Sequence, residues 1–333
     1  MQDILFAYNL DENEVAKILR TYPAYGGLEG QIGTLLNVKS LDDRSTFQAK
    51  TSQGNFVIRF PHNLRKYALL KKEEKVEKGF SSWINLKIPE TRVYDEVYGC
   101  PVFAVHTMIP GEPLDASLYE RMSPGARYRL ITDLANFFNQ SHRIPLTLAC
   151  EWLNIKSWGE STAEVLAPMY GKPGWFEPKA VTLIGQALYP ALEDSLINLF
   201  NETVVLFEGL DTDAHDLVFG HGDLHGYNMA METDEIGPKL TGVFDLDCAG
   251  ILDAHEDFFR LSLISEDLLE RVIYIYQNFS NPKRVLNRQR LAIYYRAFLF
   301  YLMAEQVEGN LQPLLDLLAK HVDYYHRSYG ELR

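Results

Sequence analysis

Four side chains between residues 221 and 245 have the types and spacing for metal-dependent phosphoryl transfer: His221, Asp223, Asn228 and Asp245. Asp223 stands in a loop, where a carboxylate can meet an incoming hydroxyl and accept its proton. An Asn amide oxygen and an Asp carboxylate are the hard oxygen donors that Mg²⁺ takes, with water and nucleotide phosphates completing its shell. Elements must hold these groups together. Apolar residues 217–219 lead into the loop that carries Asp223, and residues 227–231 and 240–244 read as strands. Turn formers at 233–238 join the two strands. A hairpin of that size brings Asn228, at the start of one strand, beside Asp245, at the end of the other. A polar surface turn is the bland alternative, but it gives no reason for so many independent positions to agree with one chemistry.

The stretch HGDLHGYN, with FDLD and DAHED after it, resembles the catalytic core of the aminoglycoside phosphotransferase and choline kinase-like family, distant relatives of protein kinases. The family pattern H-G-D-x-x-x-x-N falls on His221, Gly222, Asp223 and Asn228. Its metal Asp falls on Asp245, its small residue on Ala249 and its D-x-x-x-D pair on Asp253 and Asp257. The resemblance implies a bilobal α+β protein kinase-like fold: an N-lobe antiparallel sheet with one helix, and a larger, mainly helical C-lobe. It implies Asp223 as the catalytic residue, Asn228 and Asp245 as Mg²⁺ ligands, and ATP or GTP as phosphoryl donor. His221, Asp253 and Asp257 then support the loop, and His225, Asp247, His255 and Glu256 lie where acceptor contacts arise.

The preceding chain supplies candidate nucleotide contacts. Residues 11–20 read as a short helix with acids at its front and Lys17 and Arg20 at its back. A Gly-rich loop at 25–33 leads to strands at 34–41, 46–51 and 55–60, with a tight turn at 52–54. A phosphate-covering loop belongs at 41–46. It has no glycine; Ser45 and Thr46 offer donors, while Asp42 and Asp43 repel phosphate, so a plain surface turn weighs equally. The third strand, FVIRFPH, places Arg59 where the family carries a lysine. Arg stays charged and grips phosphate bidentately, although an exposed strand Arg is the plainer reading. Residues 65–86 have helical spacing and carry Glu73 where the family places the partner of that lysine, with Glu74 and Glu77 as rivals. Residues 91–98 and 101–107 read as a hairpin turning at Gly99 and Cys100. The second strand runs into a lobe-connecting segment at 108–114, with nucleobase contacts expected from the main chain at His106 and Met108. Main-chain recognition leaves ATP and GTP indistinguishable from side chains.

Mostly helix should follow: 123–142, a long helix at 178–208, then 256–278, 287–308 and 312–329. His142 reads as a packed or capping residue. The expected organisation is an N-lobe at 1–107 and a C-lobe at 108–333. The C-lobe would contain a catalytic core at 217–260 and an acceptor-binding insert at 147–216. No Lys or Arg occurs from 180 to 238, while Glu193, Asp194, Glu202, Glu208, Asp211, Asp213 and Asp216 do. Such a stretch either attracts amines or is a solvated acidic face.

Composition sets the outer bounds. A net charge of -13 argues against nucleic acid as partner and suits a cationic substrate. No apolar run approaches the roughly 20 residues that span a bilayer, and the first residues lack a basic, cleavable leader. Cys100, Cys150 and Cys248 are scattered, which fits reduced thiols, so a cytoplasmic monomer or dimer is expected. Aminoglycosides or other aminated sugars are the first acceptor class, because FVIRFP and the later IPE look more like 2''-type aminoglycoside enzymes than choline kinases. A housekeeping kinase of amino alcohols, homoserine or sugars stays open, as does a nucleotide-binding pseudokinase.

Overall fold

Strand-forming and helix-forming sequence separate along this chain. The computed structural model describes residues 6–7, 10–21, 32–41, 44–52, 54–95, 101–280 and 283–330. Helix α1 (Glu12–Thr21) packs Val15 and Leu19 against a sheet built from β1 (Ile32–Leu41), β2 (Arg44–Thr51) and β3 (Gly54–Pro61). Helix α2 (Leu64–Phe80), β4 (Thr91–Tyr94) and β5 (Phe103–Thr107) follow. The strand order is β1-β2-β3-β5-β4, with every neighbour antiparallel. In β2 the alternation is strict: Ser45, Phe47 and Ala49 are buried, while Arg44, Thr46 and Gln48 are partly exposed on the other face. Phe47, Phe60 and Phe103 fill the small core beneath, with ring centroids 6.0 and 5.6 Å apart.

The predicted strands therefore form, with one consequence for the site. Strand β2 starts at Arg44, so Ser45 and Thr46 stand in a strand and not in the loop before it. Asp42 and Asp43, residues 25–31 of the Gly-rich segment, Gln53 of the tight turn, and Gly99 and Cys100 lie outside the described residues.

Helix α2 starts where the Asn63 side chain accepts the Lys66 N–H, a cap contributing about 1 kcal/mol. It ends at Phe80 and not at 86, because the Ser81 and Ser82 hydroxyls donate to the carbonyls of Lys78 and Gly79. Its buried face is unusual in carrying two acids, Glu73 and Glu77, among Leu70, Val76 and Phe80. Leu70 packs with Val93, Val102 and Ala104 under the sheet. Val76, Phe80 and Ile84 instead join the large helical core, where Phe80 meets Phe137 and Phe219 at 5.8 and 5.6 Å. Core membership thus does not follow a clean cut at 107/108.

The helical half contains α3 (Ala116–Arg121), α4 (Pro124–Ser141), α5 (Leu146–Leu153), α6 (Thr162–Tyr170), α7 (Pro178–Leu188) and α8 (Asp194–Glu208). The single helix expected at 178–208 is two helices. Pro190 has no N–H to donate and its ring crowds the preceding turn, so α7 stops at Leu188. Strands β6 (Leu217–Gly220), β7 (Met229–Asp234), β8 (Gly237–Val243) and β9 (Gly250–Asp253) form two antiparallel pairs, β6 with β9 and β7 with β8. The β7–β8 turn is only Glu235-Ile236, shorter than the segment 233–238 expected, because pairing continues to Asp234 opposite Gly237. Helices α9 (Ala254–Phe259), α10 (Glu266–Phe279), α11 (Arg288–Glu305) and α12 (Gln312–Tyr329) complete the fold. A 3-10 turn at Arg260–Leu263 divides the stretch expected to be one helix from 256 to 278. Among the described residues, no helix is long and apolar enough to cross a membrane.

Candidate active site

The catalytic loop is set by two strand ends and one buried carboxylate. Pairing of Gly220 with Gly250, and of Leu217 with Asp253, fixes both ends of the segment relative to each other. Gly222 then turns the chain at φ 74, and a Cβ there would sit 2.6 Å from the Cys248 carbonyl oxygen, so the position requires glycine. Asp257, fully buried on α9, accepts the N–H of Gly222 at 2.7 Å and that of His221 at 3.1 Å. Its Oδ2 is also 3.1 Å from His142 Nε2, and the other nitrogen of that ring is 2.9 Å from the Tyr276 hydroxyl. Burial alone would raise Asp257, but His142 and these amides hold it below the usual carboxylate range. His142 is the packed residue expected.

His221 braces the same loop. Its Nε2 is 3.1 Å from the Phe244 carbonyl and its Nδ1 accepts the Asp223 N–H at 3.3 Å, which defines one tautomer. Asp253 caps α9. It takes His255 Nδ1 on one oxygen at 2.6 Å, and the Tyr294 hydroxyl and Arg290 Nε on the other, both at 2.7 Å.

Asp223 is about a quarter exposed and held from two sides. Oδ1 lies 3.0 Å from Arg260 Nε; Oδ2 lies 3.4 Å from Asn228 Nδ2 and 3.6 Å from His225 Nε2. Arg260 is itself fixed, stacked over Phe259 and Phe298 at 4.7 and 4.9 Å. Asn228 donates its amide to the Asp223 carbonyl at 2.9 Å, which leaves Oδ1 as its remaining polar atom. The Phe244 N–H donates to the Asn228 carbonyl, so Asn228 and Asp245 sit on adjoining strand ends. Asp245 has φ 66, one of only two non-glycine residues with positive φ among those described. Such a posture costs an L residue roughly 1–3 kcal/mol and clusters at functional sites.

Arg59 links the sheet to this constellation. Its Nη1 is 3.2 Å from both Glu73 oxygens and its Nη2 is 3.1 Å from Asp245 Oδ1. Burial opposes the Arg59 charge, but Glu73, Asp245 and Asp247 more than offset it and raise the group above its ordinary value. Burial pushes Glu73 up to about 7 despite Arg59. Burial also pushes Asp245 up, yet Arg59, Arg44 and His221 outweigh it and keep the carboxylate low. A divalent cation fits the donors that remain: Asn228 Oδ1 and Asp245 Oδ2, two hard oxygens without a hydrogen-bond partner among the described residues.

A cavity of about 230 Å³ adjoins Arg59 and Asp245. Val57, His106, Met108, Gly111, Met229 and Phe244 are among its lining residues, an apolar slot ending in charge. Main-chain contacts were expected at His106 and Met108. The Met108 N–H, however, donates to the Asn55 carbonyl, so its carbonyl is the group left for a nucleobase. The His106 side chain is buried, its Nδ1 2.5 Å from the Thr91 hydroxyl.

The other expected contacts divide. Thr46 lies opposite Arg59 in register, on the cleft face. Ser45 faces inward with its hydroxyl 2.9 Å from His62, on the opposite face of β2 from Thr46. His225 is beside Asp223, and Asp247 is partly exposed next to Lys72, whose ammonium donates to the Asp247 carbonyl at 2.7 Å. His255 faces the core: one ring nitrogen is on Asp253 and the other accepts the Asn287 N–H at 2.8 Å. Glu256 is buried, accepts Trp175 Nε1 at 3.0 Å, and is pushed up to about 7 by that burial. Among the expected acidic residues, Glu193, Asp194, Glu202, Glu208, Asp211 and Asp213 are exposed; none lines the cavity, and Asp216 is 3.7 Å from Arg290.

The sequence reading missed Arg260 and Arg44. Arg44 stands on the cleft face of β2, where its charge acts on Glu73 and Asp245. A signal for Arg260 existed: from 180 to 270 the chain has only two Lys or Arg residues, Lys239 and Arg260. A lone cation in so acidic a stretch needs an anion partner.

Residues 37–294 match the model of the phosphotransferase enzyme family, APH, over well more than half of the chain. The chain belongs to this family. The APH fold, an antiparallel sheet followed by a mostly helical half, is that of a kinase-type enzyme. Among solved structures, a GDP complex of a mutant aminoglycoside 2'-phosphotransferase-IIIa is similar with TM-score 0.68 and 15% identity. The alignment covers 96% of this chain and 99% of that one. A streptomycin–ATP ternary complex of APH(2")-IIa has TM-score 0.57 and 19% identity over 98% and 99% of the two chains. Spectinomycin phosphotransferase, APH(9)-Ia, bound to ADP and spectinomycin, has TM-score 0.59 and 12% identity over 98% and 97%. At these identities the likeness carries the fold and not the acceptor. No curated protein matches this phosphotransferase chain.

Proposed function

We propose that this phosphotransferase moves the γ-phosphoryl group of ATP or GTP to a hydroxyl of a small molecule, with an aminoglycoside or other aminated sugar as first acceptor class. The observation that carries the reading is Asp223, fixed by Arg260 and Asn228 beside the Arg59–Glu73–Asp245 bridge. Asn228 and Asp245 would hold Mg²⁺, which when bound neutralises phosphate charge. Asp223 orients the acceptor hydroxyl and takes its proton. Arg260 anchors Asp223 through Oδ1, leaving Oδ2 for the acceptor. Arg59 and Arg44 line the approach of the phosphates. Most of the acceleration then comes from positioning and charge, as expected for a loose phosphoryl-transfer transition state. Residues 1–107 would supply the nucleotide side and residues 147–216 the acceptor wall.

The test is nucleotide consumption, with ATP and GTP in parallel, over aminoglycosides, macrolides, amino alcohols and sugars. Turnover of an aminoglycoside should fall roughly 10²–10⁴-fold in Asp223→Asn, with nucleotide binding and melting temperature retained. Turnover confined to a common metabolite would replace the antibiotic-modifying reading with a housekeeping kinase. Nucleotide binding without turnover of any acceptor would make the protein a pseudokinase.

A further inference from the structure

Behind the Arg59–Glu73 pair lies a second cluster that shares Glu73 with it and adds two side chains, Glu77 and His106, that phosphoryl transfer does not use. Glu73 and Glu77 project from successive turns of α2, and His106 projects toward them from β5. One ligand atom from each lies within 4.8 Å of the others. Glu77 is 1% exposed and His106 4%. Neither oxygen of Glu77, nor Nε2 of His106, makes a hydrogen bond of good geometry among the described residues, although the Thr91 hydroxyl and N–H lie near enough to Glu77 to draw it down. The neighbouring Thr91 hydroxyl is already on His106 Nδ1 at 2.5 Å, which leaves Nε2 as the nitrogen free to ligate. Buried polar atoms left in this way cost about 1–3 kcal/mol each, and more when charged, so an arrangement with three of them calls for a missing partner.

We propose that Glu73, Glu77 and His106 form a binding site for a first-row divalent cation, Zn²⁺ foremost, distinct from the Mg²⁺ site of phosphoryl transfer. Two carboxylates and one imidazole suit Zn²⁺ in ligand type and charge, and a fourth position remains for water. Bond lengths near 2.0 Å set ligand atoms about 3.3 Å apart, which side-chain rotation reaches from the observed spacing. The outer hydrogen bond that a ligating imidazole needs is in place, with Nδ1–H donating to the Thr91 hydroxyl. An entry path exists as well: Glu77 and Thr91 line a surface cavity of about 680 Å³ together with Lys78, Pro89 and Val105. A carboxylate offers enough lone pairs for Glu73 to keep Arg59 while binding metal. The bound cation would pin α2 to β5 and so fix the helix that positions Arg59.

The experiment uses the full-length protein, dialysed against chelator and free of nucleotide. It is titrated with Co²⁺, whose visible absorption reports low-coordinate nitrogen and oxygen ligation. One equivalent should bind, be displaced by one equivalent of Zn²⁺, and raise the melting temperature in a concentration-dependent way. Affinity should fall at least tenfold in Glu77→Gln and be unchanged in Asn228→Ala, which lies at the other metal site. If Glu77→Gln does not fold, His106→Gln carries the same comparison. The proposal is overturned if the wild-type protein retains no cobalt, if Glu77→Gln keeps the wild-type spectrum, or if Asn228→Ala abolishes it. None of these outcomes depends on the acceptor or on turnover.

Discussion

Two pairs of buried carboxylates, on opposite sides of the cleft, meet burial in opposite ways. Asp253 and Asp257 are fully buried and are held below the usual range. Glu73 and Glu77 are each 1% exposed and are driven up, to about 7 and about 9. Desolvation is the largest influence on all four. The difference is the supply of donors. Asp257 has two backbone amides and His142; Asp253 has His255, Tyr294 and Arg290. Glu73 relies on Arg59, which it shares with Asp245; among the described residues Glu77 has only nearby Thr91 as donor and meets the like charge of Glu73 one turn away. A buried acid is therefore a brace where its oxygens are satisfied and a responsive group where they are not.

The strongest test of that contrast is Asp257→Ala. It strands His142 and two loop amides, so a loss of about 3–5 kcal/mol is expected in denaturant unfolding, together with loss of activity. A loss below 1 kcal/mol would break the comparison. Next comes Arg260→Gln, which leaves Asp223 with weaker anchoring. Its kcat should fall roughly 10²-fold through misplacement of the carboxylate, while the KM for nucleotide stays within about twofold. An equal effect on nucleotide KM would move Arg260 to the phosphate side.

The smallest effect sharpens the contrast through pH. The folded-state values of Glu73 and Glu77 lie above the ordinary carboxylate value. Their contribution to stability is thus fully present below pH 4.5 and lost as pH rises through about 7 and 9. Asp253 and Asp257 are depressed, so their contribution is present above the ordinary carboxylate value and is lost only as pH falls through their lowered values. In chelated buffer, Glu77→Gln should flatten the alkaline arm of a stability–pH profile and raise stability at pH 8 by about 1–3 kcal/mol. An unchanged alkaline arm would remove Glu77 from the account.

The sequence made legible what periodicity and fixed spacing encode. Asn228 and Asp245 could be paired because a hairpin joins their strands; Arg59 and Glu73 could be paired only through the family resemblance, since Glu74 and Glu77 share the same helix spacing. Less legible were facts that depend on a third element. Ser45 lost its expected role because β2 begins two residues earlier and alternation turns it inward. The helix at 178–208 broke at Pro190, a punctuation visible in the sequence but outweighed there by apolar periodicity. Arg260 needed the fold to show that Phe259 and Phe298 hold its guanidinium against Asp223. His255 looked like an acceptor contact from position alone, and only packing shows its ring turned toward Asn287.

Helix α2 is built into both halves of the molecule, with Leu70 under the sheet and Phe80 wedged between Phe137 and Phe219. A crossbeam anchored at both ends resists being swung out. Protein kinases are switched off by moving the corresponding helix and parting its Glu from the phosphate-binding cation. Here that lever is immobilised by the same apolar contacts that stabilise the fold. The Arg59–Glu73 pairing is thereby tied to the packing of the fold itself.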